Sequence, residues 1–232
     1  MSVIFECRDL VKSYGKVTAL KGISLQLESG RIVGLLGPNG SGKTTLIKLA
    51  NRLLQPTSGE LRIVGENPGV VTKAAIAYLP DKDFLPEWMK TDALLHFYGD
   101  FFPDFDLQRA REMLRSLNIP DNQPLKKMSK GTREKVQLIL IMSRRAQVYL
   151  LDEPIAGVDP AARDYILRTI LNNYEENVLV LISTHLIADV ESVLDEAVFL
   201  KEGQIVLHKS VDDIREETGK SVDEYFREVF RC

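Results

Sequence analysis

The chain has 232 residues, 44% of them hydrophobic and 27% charged, with 30 Lys and Arg against 33 Asp and Glu. That balance fits a globular chain rather than a disordered one, and the net charge of −3 gives no overall basic signal for wrapping nucleic acid. The longest unbroken apolar runs span five or six residues, as in 178–182 (VLVLI), whereas a membrane-spanning helix needs about 20. The opening MSVIFECRDL carries acids where a secretory signal has its apolar segment, and Cys7 and Cys232 make neither a metal cluster nor a disulfide framework. A cytosolic chain that does not itself cross a membrane is expected.

Residues 31–36 (RIVGLL) read as a strand running into a glycine-rich turn. Behind the turn, Leu46, Leu49, Ala50, Leu53 and Leu54 follow the spacing of one helix face. Gln55-Pro56 should end that helix, because the residue before a proline is pushed out of helical geometry. Further strands are expected at 60–64, 75–79, 148–151, 178–183, 197–200 and 204–207, with helices near 161–176 and 186–194. Lys201-Glu202-Gly203 between the last two strands reads as a tight hairpin. Strand–helix alternation of this kind predicts an α/β fold, a mainly parallel sheet with helices on both faces.

Between about 84 and 127 the pattern becomes helical and no strand is evident. Phe84, Trp88, Phe97, Tyr98, Phe101, Phe102 and Phe105 crowd this stretch. It reads as a helical subdomain, 84–135, inserted in a single domain spanning 1–232, with a short C-terminal tail at 210–232.

Two motifs carry chemistry. The first, Gly37-Pro38-Asn39-Gly40-Ser41-Gly42-Lys43-Thr44, matches G-x-x-x-x-G-K-[ST], and Thr45 follows. Its glycines let successive backbone N–H groups point at a polyphosphate, and the helix opening near Gly42 adds its positive end. Lys43 is placed to reach the β- and γ-phosphates of a nucleotide, and the Thr44 hydroxyl to bind Mg²⁺. A strand before the match and an amphipathic helix behind it separate it from a chance glycine turn. The second motif, VYLLDEP at 148–154, ends an apolar strand in Asp152, a candidate for holding Mg²⁺, and Glu153, a candidate general base.

Met128-Ser129-Lys130-Gly131-Thr132, shortly before VYLLDEP, resembles the signature LSGGQ of ATP-binding cassette (ABC) ATPases. The other family marks follow in order. Tyr14 precedes the phosphate loop where relatives stack an aromatic on adenine. Ala156-Gly157-Val158-Asp159 looks like the D-loop, and Ser183-Thr184-His185 looks like the switch histidine. The resemblance covers about residues 3–208. It implies a phosphate-loop NTPase core with an N-terminal antiparallel β region, and ATP sandwiched between two copies. Ser129, Gly131 and Asp159 of one copy then meet the phosphate loop of the other, and His185 holds the γ-phosphate and attacking water. Two departures stand out: Lys130 and Thr132 replace a glycine and a glutamine of the signature. Asp81, after Tyr78-Leu79-Pro80, stands where most relatives carry a Mg²⁺-touching glutamine.

The implied activity is ATP hydrolysis coupled to transport. The implied partners are a separate transmembrane permease and a second ATPase subunit, identical or paralogous, with no direct nucleic acid; the implied place is cytoplasmic, peripheral on the inner membrane face. Val211, Ile214, Val222, Tyr225, Phe226, Val229 and Phe230 resemble the helical tail of bacterial export-type subunits. The alternative is a soluble ABC ATPase of cluster assembly or of nucleic-acid or ribosome work. Only 84 residues separate Lys43 from Met128, too few for the long heptad insertions of DNA-repair relatives.

Overall fold

The computed structural model describes residues 2–230 apart from Gly157, Asp159 and residues 173–176. Strands β1 (Val3–Tyr14) and β2 (Val17–Glu28) form a long antiparallel hairpin, and the central strand β3 (Arg31–Leu36) follows. Helix α1 (Lys43–Ala50) starts directly behind the glycine-rich turn. Strand β4 (Ser58–Ile63) then pairs antiparallel with β1, giving a small sheet in the order β2-β1-β4.

Helix α2 (Val70–Ala75) leads into β5 (Ile76–Leu79), the first edge of the main sheet. The inserted helices are α3 (Thr91–Phe101), α4 (Leu107–Ser116) and α5 (Lys130–Met142). Strand β6 (Val148–Asp152), helix α6 (Pro160–Asn172), strand β7 (Leu179–Thr184) and the short helix α7 (Ile187–Val190) return the chain to the core. Strands β8 (Glu196–Lys201) and β9 (Gln204–Ser210) make the hairpin expected at Lys201–Gly203, and helices α8 (Val211–Thr218) and α9 (Val222–Val229) end the fold.

Among the described residues the main sheet runs β5-β6-β7-β3-β8-β9, parallel except for β9. Strands buried on both faces should read as continuous apolar runs, and β6 and β7 are buried at every position. One apolar cluster, with Leu36, Leu151, Ile182 and Phe199, packs α5, α6 and α7 on one face; Tyr225, Phe226 and Phe230 of the tail close over it. A second cluster, with Phe5, Leu35, Leu46 and Leu181, joins the other face to α1 and the small sheet. A third, with Leu94, Leu114, Leu125 and Ile139, is the lobe's own.

The expected helix behind the glycine turn is shorter than its spacing suggested. It stops at Ala50, Arg52 turns left-handed at φ 52°, and Leu53 is 55% exposed. Lys48 O takes the N–H groups of Leu53 and Leu54, so Leu53 and Leu54 belong to the turn that ends the helix. The helix expected near 186–194 is α7 followed by a single 3₁₀ turn at Glu191–Val193.

Candidate active site

Parallel strands present their carboxyl ends along one edge of a sheet, where ligands of open α/β folds bind. The loop after β3 and the ends of β6 and β7 converge there. Gly42, at φ 113°, is the residue that opens α1. A Cβ on it would lie 2.8 Å from the carbonyl oxygen of Ala19, so both its conformation and its space demand glycine. Lys43 is 5% exposed and folds back to donate to the carbonyls of Gly37 (2.7 Å) and Pro38 (3.2 Å), with Glu153 Oε1 at 3.7 Å. Burial lowers its pKa, partly offset by the charges of Glu153 and Asp152.

Asp152 is 1% exposed. Its Oδ1 accepts from the Thr44 hydroxyl at 3.2 Å and from the Ser183 hydroxyl in a shorter bond. Its Oδ2, like Ser41 Oγ, is buried with no hydrogen-bond partner among the described residues. Burial raises the carboxyl pKa, and the nearby charges of Asp81 and Glu153 add to that rise against the two hydroxyl bonds. Burying a carboxylate oxygen without a partner is costly, and a hard cation bound by oxygen ligands relieves that cost. The Thr44 hydroxyl and Asp152 therefore fit Mg²⁺ in donor type. No group of three or more His, Cys, Asp or Glu among the described residues is placed to hold a metal ion by itself, and a Mg²⁺ that brings phosphate and water ligands does not need one.

Glu153 sits at φ 53°, a left-handed conformation unusual for a side-chain-bearing residue. Its N–H donates to Ser183 O at 2.9 Å and holds the turn in place. The Glu153 carboxylate meets His185 Nδ1 at 3.0 Å and accepts from the Thr184 hydroxyl at 3.2 Å. One bonded chain thus joins Lys43, Thr44, Asp152, Glu153 and His185. Ser183 and Thr184 act in it as hydroxyl donors, a role the sequence reading did not give them; their signal is the parallel register that sets Asp152 opposite Ser183. Asp81 is exposed and lines a small cavity together with Glu153.

Other expected residues stand apart from that chain. Pro38, Asn39 and Gly40 are exposed at the tip of the loop, Thr45 continues α1, and Tyr14 is 47% exposed under the Lys12 ammonium. Ser129 caps α5, accepting from Thr132 N at 3.2 Å, and Gly131 faces open space in the first turn. Asp159 and Gly157 lie outside the described residues.

The family model described as ABC transporter matches residues 20–156. The chain belongs to the ABC transporter family. It is 30% identical over 219 residues to the ABC transporter ATP-binding protein YtrB of Bacillus subtilis, covering 92% of this chain and 74% of that protein. It is also 27% identical to the phosphonates import ATP-binding protein PhnC of Wolinella succinogenes, covering 92% of this chain and 86% of the other. A solved ATP-binding subunit of an ABC transporter superposes with a TM-score of 0.89 at 27% identity, covering 98% of this chain and all of that one. The fold is that of an ABC cassette, and the chain is an ATP-binding, ATP-hydrolysing subunit of this family. ABC subunits of this kind act with a transmembrane subunit and as dimers. No helix among the described residues is long and apolar enough to cross a membrane.

Proposed function

We infer that this subunit closes with a second copy or a paralogue around two ATP and drives a separate membrane permease. The observation that carries the reading is the bonded chain of Lys43, Thr44, Asp152, Glu153 and His185 at the carboxyl edge of the sheet. The phosphate loop takes the triphosphate, Lys43 leaves its carbonyl partners for the β- and γ-phosphates, and Tyr14 stacks on adenine. Thr44, Asp152 and Asp81 would hold Mg²⁺, and the ion would supply charge neutralisation at the phosphates. Glu153 orients water and accepts its proton, and His185 keeps Glu153 and the γ-phosphate in register. Ser129, Gly131 and Asp159 serve the nucleotide on the partner subunit, consistent with the exposure of Ser129 and Lys130 at the start of α5. Catalysis here is positioning and electrostatics.

Exposed apolar side chains support a membrane partner. Trp88 is 80% and Phe101 67% exposed. Tyr98 and Phe102 line a cleft of about 240 Å³ with Leu53 and Lys73. A cytoplasmic helix of the permease would fill it. The export direction rests on the tail α8–α9 alone, and the likeness to transporter subunits disfavours the soluble alternative.

Glu153→Gln tests the site. It should bind Mg-ATP yet hydrolyse it about 10²-fold more slowly or worse, and it should accumulate as an ATP-bound dimer on gel filtration. Turnover equal to the wild type would remove Glu153 from its role.

A further inference from the structure

The segment between β5 and α3 leaves the nucleotide edge at Pro80, passes Asp81, and ends at the lobe. Helix α5 grips it at several points. Gln137, 4% exposed, accepts the N–H of Phe84 on its Oε1 at 3.1 Å. Four residues earlier, one turn away on the same face, Arg133 pairs with Asp83 and donates to the carbonyls of Leu85 (3.0 Å) and Leu125 (3.1 Å). Phe84 packs against both the core cluster and the lobe cluster, so the gripped point is the joint between them. The same helix begins at Ser129, eight residues or about 12 Å from Gln137.

A cavity of about 110 Å³ opens where this gripped body meets the turn after β6: Asp81, Asp83, Glu134 and Gln137 line it together with Glu153 and Pro154.

We propose that Gln137 is a positioning residue of the ATPase reaction: its bond to Phe84 N, reinforced by Arg133, makes the 81–85 strap and the Ser129 end of α5 one rigid body. Asp81 then approaches its own nucleotide in the same motion that delivers Ser129 to the partner's. Asp81 is one methylene shorter than the usual glutamine, so its reach depends on how the strap is held. The inference rests on ATP-driven dimer closure as read above.

The test uses the full chain carrying Glu153→Gln, with dimerisation followed by light scattering and monomer affinity by a fluorescent ATP analogue. Adding Gln137→Met, nearly isosteric but without the acceptor, should leave nucleotide affinity within about twofold and raise the ATP needed for half-dimerisation about tenfold. Gln137→Glu, which keeps the acceptor, should restore closure to within about threefold. Parent-like dimerisation of the methionine variant, or equal loss in the glutamate variant, overturns the proposal. A second readout needs no variant at position 137: the Phe84 amide should stay protected from deuterium exchange with and without ATP, and loss of protection on closing overturns it. If the parent itself fails to dimerise with ATP, the closure reading fails instead.

Discussion

Asp152 concentrates the electrostatic cost of the site. Its Oδ1 accepts from two hydroxyls while Oδ2 is buried without a partner. Asp152→Asn removes that ionised oxygen and keeps an acceptor for Thr44 and Ser183. The nucleotide-free variant should therefore melt higher, by about 2–4 °C per kcal/mol relieved in a chain of this size. The rise in Tm that Mg-ATP gives the wild type by binding the folded state should largely vanish in the variant. A lower melting point without nucleotide would instead make Asp152 a structural anchor. At this scale the motifs exposed Lys43, Thr44, Asp152, Glu153 and His185, because their chemistry travels with local spacing. Ser183, Thr184 and Gln137 were not legible as participants. Their partners are 31 residues away for the two hydroxyls and 53 for the amide, and only strand register or helix packing brings them together.

Among the elements, the strands of the main sheet were legible because double burial forces continuous apolar runs. The N-terminal hairpin was less so. β1 and β2 are each 12 residues long, and register shifts at Cys7/Leu10 and Leu10/Val11 break the alternation that would reveal them. Helix α2 is one and a half turns long with Val70 89% exposed, and so has no apolar face to read. The β8–β9 hairpin carries a measurable pH signature. His208 Nε2 lies 2.8 Å from Glu196, and that bond, more than the opposing burial, lowers the Glu196 pKa. A carboxyl depressed in the folded state contributes stability above the ordinary carboxylate range and loses it as pH falls through the folded value. His208→Ala should thus melt lower than wild type near neutral pH, by about 1–3 °C for a pair this exposed. The gap should close as pH falls below about 4. A gap that stays constant down to acid pH would show that packing, not the bond to Glu196, sets the difference.

Over the whole molecule, two kinds of aromatic in the inserted lobe separate by what they touch. Phe84 is wedged between the core and lobe clusters, and Phe102 is half-buried under the Arg144 guanidinium at 4.1 Å. Removing either should cost stability before it costs any partner. Trp88 and Phe101 remain open, and the Phe101 ring lies against that of Phe97, itself 43% exposed, with ring centroids 4.9 Å apart. Large apolar side chains left in water mark an interaction surface, and aromatic anchors of this kind dominate interface energies. The composition showed the cluster at 84–105; only burial divides its anchors from its packing. Trp88→Ala and Phe101→Ala should shift Tm by no more than about 2 °C, because exposed positions seldom exceed about 0.5 kcal/mol. Basal ATP hydrolysis should stay within about twofold, since neither side chain belongs to the bonded chain around Glu153. Co-purification with the membrane subunit from detergent extracts should drop about tenfold or more, the loss of at least one anchor worth over about 1.4 kcal/mol. Undiminished co-purification of the double variant would move the permease contact off these two aromatics, leaving the exposed Val70 and Val71 of α2 as the place to look.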